Sequence, residues 1–171
     1  LAIGADGAGS VVRQAMERVE DLNAVEKPLG HGYRELTIPP DAEGQFQLAP
    51  DALHIWPRGG YMMIALPNPD GSFTCTLFLA LDSDDTDQPS FESLDDPAAM
   101  IEFLSADFPD AVALIGDLER ELRSRPVGYL ATLYVDRWHL QDKALLIGDA
   151  SHAIVPFHGQ GMNSAFEHGS E

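Results

Sequence analysis

Leu146-Ile147-Gly148-Asp149-Ala150-Ser151-His152, continuing as Ala153-Ile154-Val155-Pro156-Phe157-His158-Gly159-Gln160-Gly161-Met162-Asn163, is the stretch on which the fold turns. Ala144 to Ile147 is a short apolar run that reads as a buried strand. An acid, Asp149, follows at once, and a glycine-rich stretch then leads into a helix begun at Met162 to Glu167. An acid just past a buried strand lies where open α/β sheets bind ligands, and Asp149 is placed to accept hydrogen bonds from a sugar or polyol. The run from Gly159 through Gly161 and Met162 to Asn163 puts bare backbone N–H groups at a helix start. Those donors and the helix dipole favour negative charge nearby.

The other end of the chain repeats the pattern. Leu1-Ala2-Ile3 is a short apolar run, followed by the turn Gly4-Ala5-Asp6-Gly7-Ala8-Gly9-Ser10 and then Val11-Val12-Arg13. Ser10 is a plausible N-cap, and Val11, Val12, Ala15, Met16 and Val19 recur at helical spacing. Such a turn lets backbone approach a phosphate or ribose closely. From Gly7 the pattern is Gly-x-Gly-x-x-Val, which lacks the third glycine of a dinucleotide fingerprint. Taken alone it is equally compatible with a capped structural turn. Both terminal runs are shorter than a complete strand and helix, so the chain is expected to be a piece of a longer protein.

Between these strand–turn–helix pieces lies a different pattern. His31 to Ile38, Leu53 to Pro57 and Tyr61 to Leu66 read as antiparallel strands, with Arg58-Gly59-Gly60 as a hairpin-like break. Pro67-Asn68-Pro69-Asp70-Gly71 is a turn signal. Phe73, Cys75, Leu77, Leu79 and Leu81 then alternate with Thr74, Thr76, Phe78 and Ala80. After an acidic loop, Asp96-Pro97 opens a helix with the stripe Ala99, Met100, Phe103 and Leu104. A second helix is expected over residues 110 to 124, and another strand over 129 to 135.

Composition removes several classes of function. Twenty-eight acidic residues against ten basic ones give a formal net charge of −18, which opposes binding to nucleic acid or an anionic membrane surface. Thirteen of the acids fall between Arg58 and Arg120, where there is no Lys or Arg. This reads as a solvated acidic surface or as adaptation to salt. No apolar run is long enough to span a bilayer. The single cysteine, Cys75, excludes an internal disulfide and fits a reducing compartment. Asp149, Ser151 and His152 are hydrolase-triad residue types, but a triad needs side chains converging from separate segments. A metal site on Asp149, His152 and His158 lacks a helical i, i+4 histidine pair, and no metal is expected.

Together these residues resemble the class A flavoprotein monooxygenases, the family of the aromatic hydroxylases. Gly4-Ala5-Asp6-Gly7 through Arg13 resembles the family's fingerprint for FAD and NAD(P)H. Gly148-Asp149-Ala150-Ser151-His152 with Pro156 resembles the one whose Asp meets the FAD ribityl chain. Within the insert, His31 to Pro39, Leu53 to Arg58, Met62 to Asn68 and Phe73 to Phe78 are similar to segments of the kynurenine 3-monooxygenases.

The resemblance implies an α/β fold of mixed α+β character, a partial Rossmann-like FAD-binding domain interrupted by an antiparallel substrate domain. The implied division is 1–28 and 129–171 for FAD and 29–128 for substrate. It implies the cofactors FAD and NADPH, with O₂ and L-kynurenine as substrates. The implied cofactor residues are Asp6, Gly7, Arg13, Gly148, Asp149, Pro156, Gly159, Gly161, Met162 and Asn163. Pro156, Phe157, His158, Thr74 and Leu77 are the implied substrate contacts, although alternation alone leaves open which side of their strand faces the ligand. No side chain is required as a catalytic acid or base. The implied location is the bacterial cytoplasm, with membrane association only through a C-terminal anchor outside this chain.

Overall fold

The computed structural model describes residues 1–84, 88–158 and 160–169. Along the chain run β1 (Ala2–Gly4), α1 (Val11–Glu17), β2 (Val25–Ile38), β3 (His54–Pro57), β4 (Met62–Pro67) and β5 (Phe73–Ala80). There follow α2 (Pro97–Asp107), α3 (Pro109–Val112), α4 (Leu118–Ser124), β6 (Gly128–Tyr134), β7 (His139–Leu140), β8 (Ala144–Leu146) and α5 (Gly161–Gly169). Single 3₁₀ turns occupy Gly148–Ala150 and Pro156–His158. The chain forms two compact units, Leu1–Leu29 with Leu130–Glu171, and Gly30–Tyr129. Mixed α/β architecture with an antiparallel insert is therefore what the chain adopts.

The first unit holds a small sheet in the order β1-β8-β7. β1 and β8 are parallel, with Ala2 opposite Ala144 and Gly4 opposite Leu146. Gly4 sits under α1, where an added Cβ would lie 2.8 Å from the Val12 Cβ and 2.9 Å from Leu146 Cδ2. Only glycine permits that approach. Ser10 caps α1 as the residue pattern indicates, its hydroxyl accepting from the Arg13 N–H. Met16 is buried, with Leu22, Leu133, Val135, Leu140, Leu146 and Ala150, while Val11 and Val19 stay exposed. The apolar stripe of α1 is therefore only partly used within the unit. β7, two residues long, has no periodicity to reveal it in the sequence.

The second unit is built on a five-stranded sheet in the order β3-β4-β5-β2-β6. β5 is its centre, pairing antiparallel with β2 (Leu36 opposite Cys75) and with β4 (Met63 opposite Leu77). Phe73, Cys75, Leu77 and Leu79 share one face with Leu36, Ile38, Met63 and Ala65. On that face they pack with Met100, Leu104, Phe108, Ala111, Ile115, Leu118 and Leu122 of the helical segment. Burial of this size dominates the stability of such a unit.

The expected helix over 110 to 124 is two helices. The chain leaves helical geometry after Val112, passes through Gly116, and restarts where the Asp117 carboxylate accepts from the Arg120 N–H. An N-cap in mid-segment competes with helix continuation, which hydrophobic spacing alone does not register. The β3–β4 hairpin is latched to the end of α2. Arg58 donates to the Asp107 carbonyl and lies 4.8 Å over the Phe108 ring. The Tyr61 hydroxyl donates to the Asp107 carboxylate. Burial, then that carboxylate, push the Tyr61 hydroxyl up to about 12.

Candidate functional site

Two glycine turns of the first unit meet at one cleft of about 460 Å³. Its walls are Ala5, Gly7, Ile147, Gly148, Asp149, Gly161, Met162, Ala165 and Phe166. Gly7 and Gly148 hold positive φ values of 82° and 61°, so both turns depend on glycine. A Cβ at Gly7 would meet nothing within 4 Å, and the backbone there is presented bare to open space. Asp149 is exposed at the mouth of the second turn, and a Cβ at Gly161 would lie 4.0 Å from its Oδ1. The carboxylate therefore stands beside the first residue of α5.

The sequence-based site divides into two groups. Gly7, Gly148, Asp149, Gly161 and Met162 line the cleft. Asp6 and Arg13 do not, because their side chains are committed to the scaffold. The Asp6 carboxylate accepts from the Ser10 hydroxyl and from the backbone N–H groups of Val11 (2.8 Å) and Val12 (3.2 Å). These bonds, the Ser10 one foremost, hold its carboxyl below the usual range. Arg13 is 6% exposed, and its guanidinium donates to the carbonyls of Ala150 (2.9 Å) and Ala8.

Asn163 donates to Gln160 Oε1 at 2.9 Å, and Pro156 is exposed in a 3₁₀ turn with half-buried Phe157. Gly159 and the His158 side chain lie outside the described residues. Ala165 and Phe166 were not singled out from the sequence. Their signal was present, because each lies four residues beyond a predicted contact, Gly161 or Met162, on the same helical face.

The substrate contacts in the insert need one correction. Leu77 is fully buried on the helix-facing side of β5 and is unavailable to a ligand. Thr74 is on the opposite face, where its hydroxyl is paired with the Asn68 side chain. That face also carries Thr76, Thr37, Ile64 and Leu66, and at its edge Ile55, which is 52% exposed. It is a mixed surface of hydroxyls and aliphatic groups.

Other chemistry finds no support in the geometry. Ser151 is fully buried and its hydroxyl donates to the Gly148 carbonyl at 2.8 Å. His152 packs against Trp138 with ring centroids 5.1 Å apart. Among the described residues no three His, Cys, Asp or Glu side chains are grouped to hold a metal, and no helix is long and apolar enough to cross a membrane.

The cleft fits the middle of an FAD molecule. It offers a carboxylate for polyol hydroxyls, a helix start for a charged ring edge, and apolar walls in Met162 (67% exposed) and Phe166 (70% exposed) for a flat ring.

Residues 109–171 match the FAD binding domain family. The chain is 52% identical over 167 residues to the kynurenine 3-monooxygenase of Myxococcus xanthus, covering 98% of this chain and 35% of that relative. It thus spans about a third of the length of the curated relatives it matches. Among solved structures it is similar to 2-methyl-3-hydroxypyridine-5-carboxylic acid oxygenase, with a TM-score of 0.67 at 22% identity over 96% of this chain and 42% of that one. It is also similar to Klebsiella pneumoniae HpxO complexed with FAD and uric acid, with a TM-score of 0.64 at 18% identity over 98% of this chain and 40% of that one. These structural likenesses concern the fold. The chain is thus similar, over nearly its whole length, to about a third of a kynurenine 3-monooxygenase, and its C-terminal part matches a family of FAD binding domains.

Proposed function

We propose that this chain is part of an enzyme that hydroxylates L-kynurenine to 3-hydroxykynurenine, using FAD, NADPH and O₂, on the route from tryptophan to NAD. The observation that carries the reading is the extent of the identity, 52% over 98% of the chain. It takes in the antiparallel insert, the part expected to select substrate, as well as both glycine turns. Bound FAD, reduced by NADPH, would supply activation of O₂ and transfer of one oxygen atom to an electron-rich ring.

The residues of this chain bind and orient. Asp149 accepts hydrogen bonds from the ribityl hydroxyls, with Gly7 and Gly148 letting backbone approach. The N–H groups from Gly159 through Gly161 and Met162 to Asn163 face the flavin edge that gains negative charge, where fixed donors are most effective. Asp6 and Arg13 hold the turns in place. Thr74, with Thr76, Ile64 and Leu66, forms a floor for the aromatic ring, and Pro156, Phe157 and His158 exclude water beside it. An amino-substituted ring is already electron-rich, so no strong acid or base is needed from the protein. A bacterial cytoplasmic location accords with the single cysteine and the bacterial relatives.

The test is expression of the full gene, followed by measurement of kynurenine-dependent NADPH oxidation and of 3-hydroxykynurenine. Bound, reducible flavin with turnover of phenols and none of kynurenine would replace the substrate with another aromatic. Full-length protein that takes up no flavin would make the chain a non-catalytic binding domain.

A further inference from the structure

We infer that Arg13 is a positioning residue that locks the two glycine turns into one element and sets the place of Asp149, without itself touching the cofactor. The inference rests on the reading of Asp149 as a flavin contact. Arg13 is almost wholly buried, and its guanidinium donates to one backbone carbonyl in each turn, Ala8 and Ala150. Those carbonyls belong to residues directly beside two cleft-lining positions, Gly7 and Asp149.

The arginine is itself held from behind. Its backbone N–H donates to the Ser10 hydroxyl, which in turn donates to Asp6. The Asp149 turn has a second internal tie, from the Ser151 hydroxyl to the Gly148 carbonyl. An exposed carboxylate on a short 3₁₀ turn has little packing of its own, so its position depends on these carbonyl contacts. A planar fork reaches two carbonyls at once and a lysine ammonium does not reproduce that geometry. A cation buried against carbonyls also fixes their direction more firmly than a neutral donor would.

The experiment is a double-mutant cycle in the full-length protein, combining Arg13→Lys with Asp149→Ala and reading the FAD dissociation constant by flavin fluorescence and the melting temperature of the apoprotein. Arg13→Lys is expected to weaken FAD binding by about tenfold when Asp149 is present and to change it little when Asp149 is already alanine. The visible spectrum of bound flavin is expected to shift in Arg13→Lys, which a loss of stability alone would not produce. An Arg13→Lys penalty of equal size on both backgrounds would overturn the inference, as would a lowered melting temperature with unchanged FAD affinity. Asp149→Ala binding FAD as tightly as wild type would instead remove the underlying reading of Asp149. Should Arg13→Lys fail to fold, Ser10→Ala loosens the same network more gently. The same dependence on Asp149 is then expected, and its absence again overturns the inference.

Discussion

The Trp56 indole N–H donates to Asp110 Oδ2 at 2.6 Å, tying the edge strand β3 to α3. This bond is the leading cause of the lowered Asp110 pKa. Trp56→Phe keeps most of the ring and removes the donor. Because the bond is exposed, the expected cost is about 0.5–1 kcal/mol. A depressed carboxyl contributes stability above its unfolded pKa, near pH 4, and loses it as pH falls through the lower native value. Melting temperatures of wild type and Trp56→Phe should therefore differ at neutral pH and converge below about pH 3. A gap that persists in acid would assign the effect to ring packing.

Cys75 is fully buried at the centre of the second unit, and burial pushes its thiol up to about 12. Iodoacetamide should leave it unlabelled in the native protein and modify it in urea. Cys75→Ser places a hydroxyl at the same point and is expected to cost about 1–3 kcal/mol, more than Cys75→Ala if polarity outweighs the lost volume. Chemical denaturation of both variants makes the comparison.

The two faces of β5 should respond differently to substitution. Leu77→Ala, on the helix side, is expected to cost about 2–5 kcal/mol of stability. Its effect on the kynurenine KM should not exceed what the stability loss explains. Thr74→Val, on the open face, should change stability by less than about 1 kcal/mol and raise KM. Steady-state kinetics with thermal melts separates the two. Equal KM effects would show that the faces are not distinct in function.

Gly32→Ala tests sterics alone. A Cβ there would lie 2.7 Å from the Gly128 carbonyl oxygen and 2.7 Å from Leu81 Cδ2. Backbone yields less readily than a side chain, so about 1–3 kcal/mol of destabilisation is expected. Gly60→Ala, whose Cβ would come no closer than 3.5 Å to the Gln88 side chain, is the control and should be near neutral.

The contrast between what was legible in the sequence and what was not has a physical pattern. Alternation from Phe73 to Leu81 announced a strand with one apolar face, and Asp96-Pro97 announced the start of a helix. Alternation carries no sign, however. Which face meets the helices depends on tertiary packing, and Leu77 was placed with the substrate when it belongs with Leu104 and Phe108. The cap at Asp117 divided a helix whose apolar spacing looked continuous. Arg13 is the clearest case. A fingerprint names a residue type, but the destination of a buried guanidinium depends on carbonyls at Ala8 and Ala150, and Ala150 is 137 residues away. Gly148 and Asp149 were legible because a strand end followed by glycine and acid has few other uses.

The parallel pairing of β1 with β8 sets a folding order. Ala2 finds Ala144 only after the whole insert has been synthesised, and closing so long a loop is entropically costly until the insert has condensed. The insert's strands β3, β4 and β5 pair with near neighbours in sequence and are suited to form first. Emerging N-terminal residues such as Ile3 must then wait unpaired on the ribosome, exposed to mispairing or chaperones, until the last strand arrives. The flavin cleft is on this account the last part of the chain to be assembled.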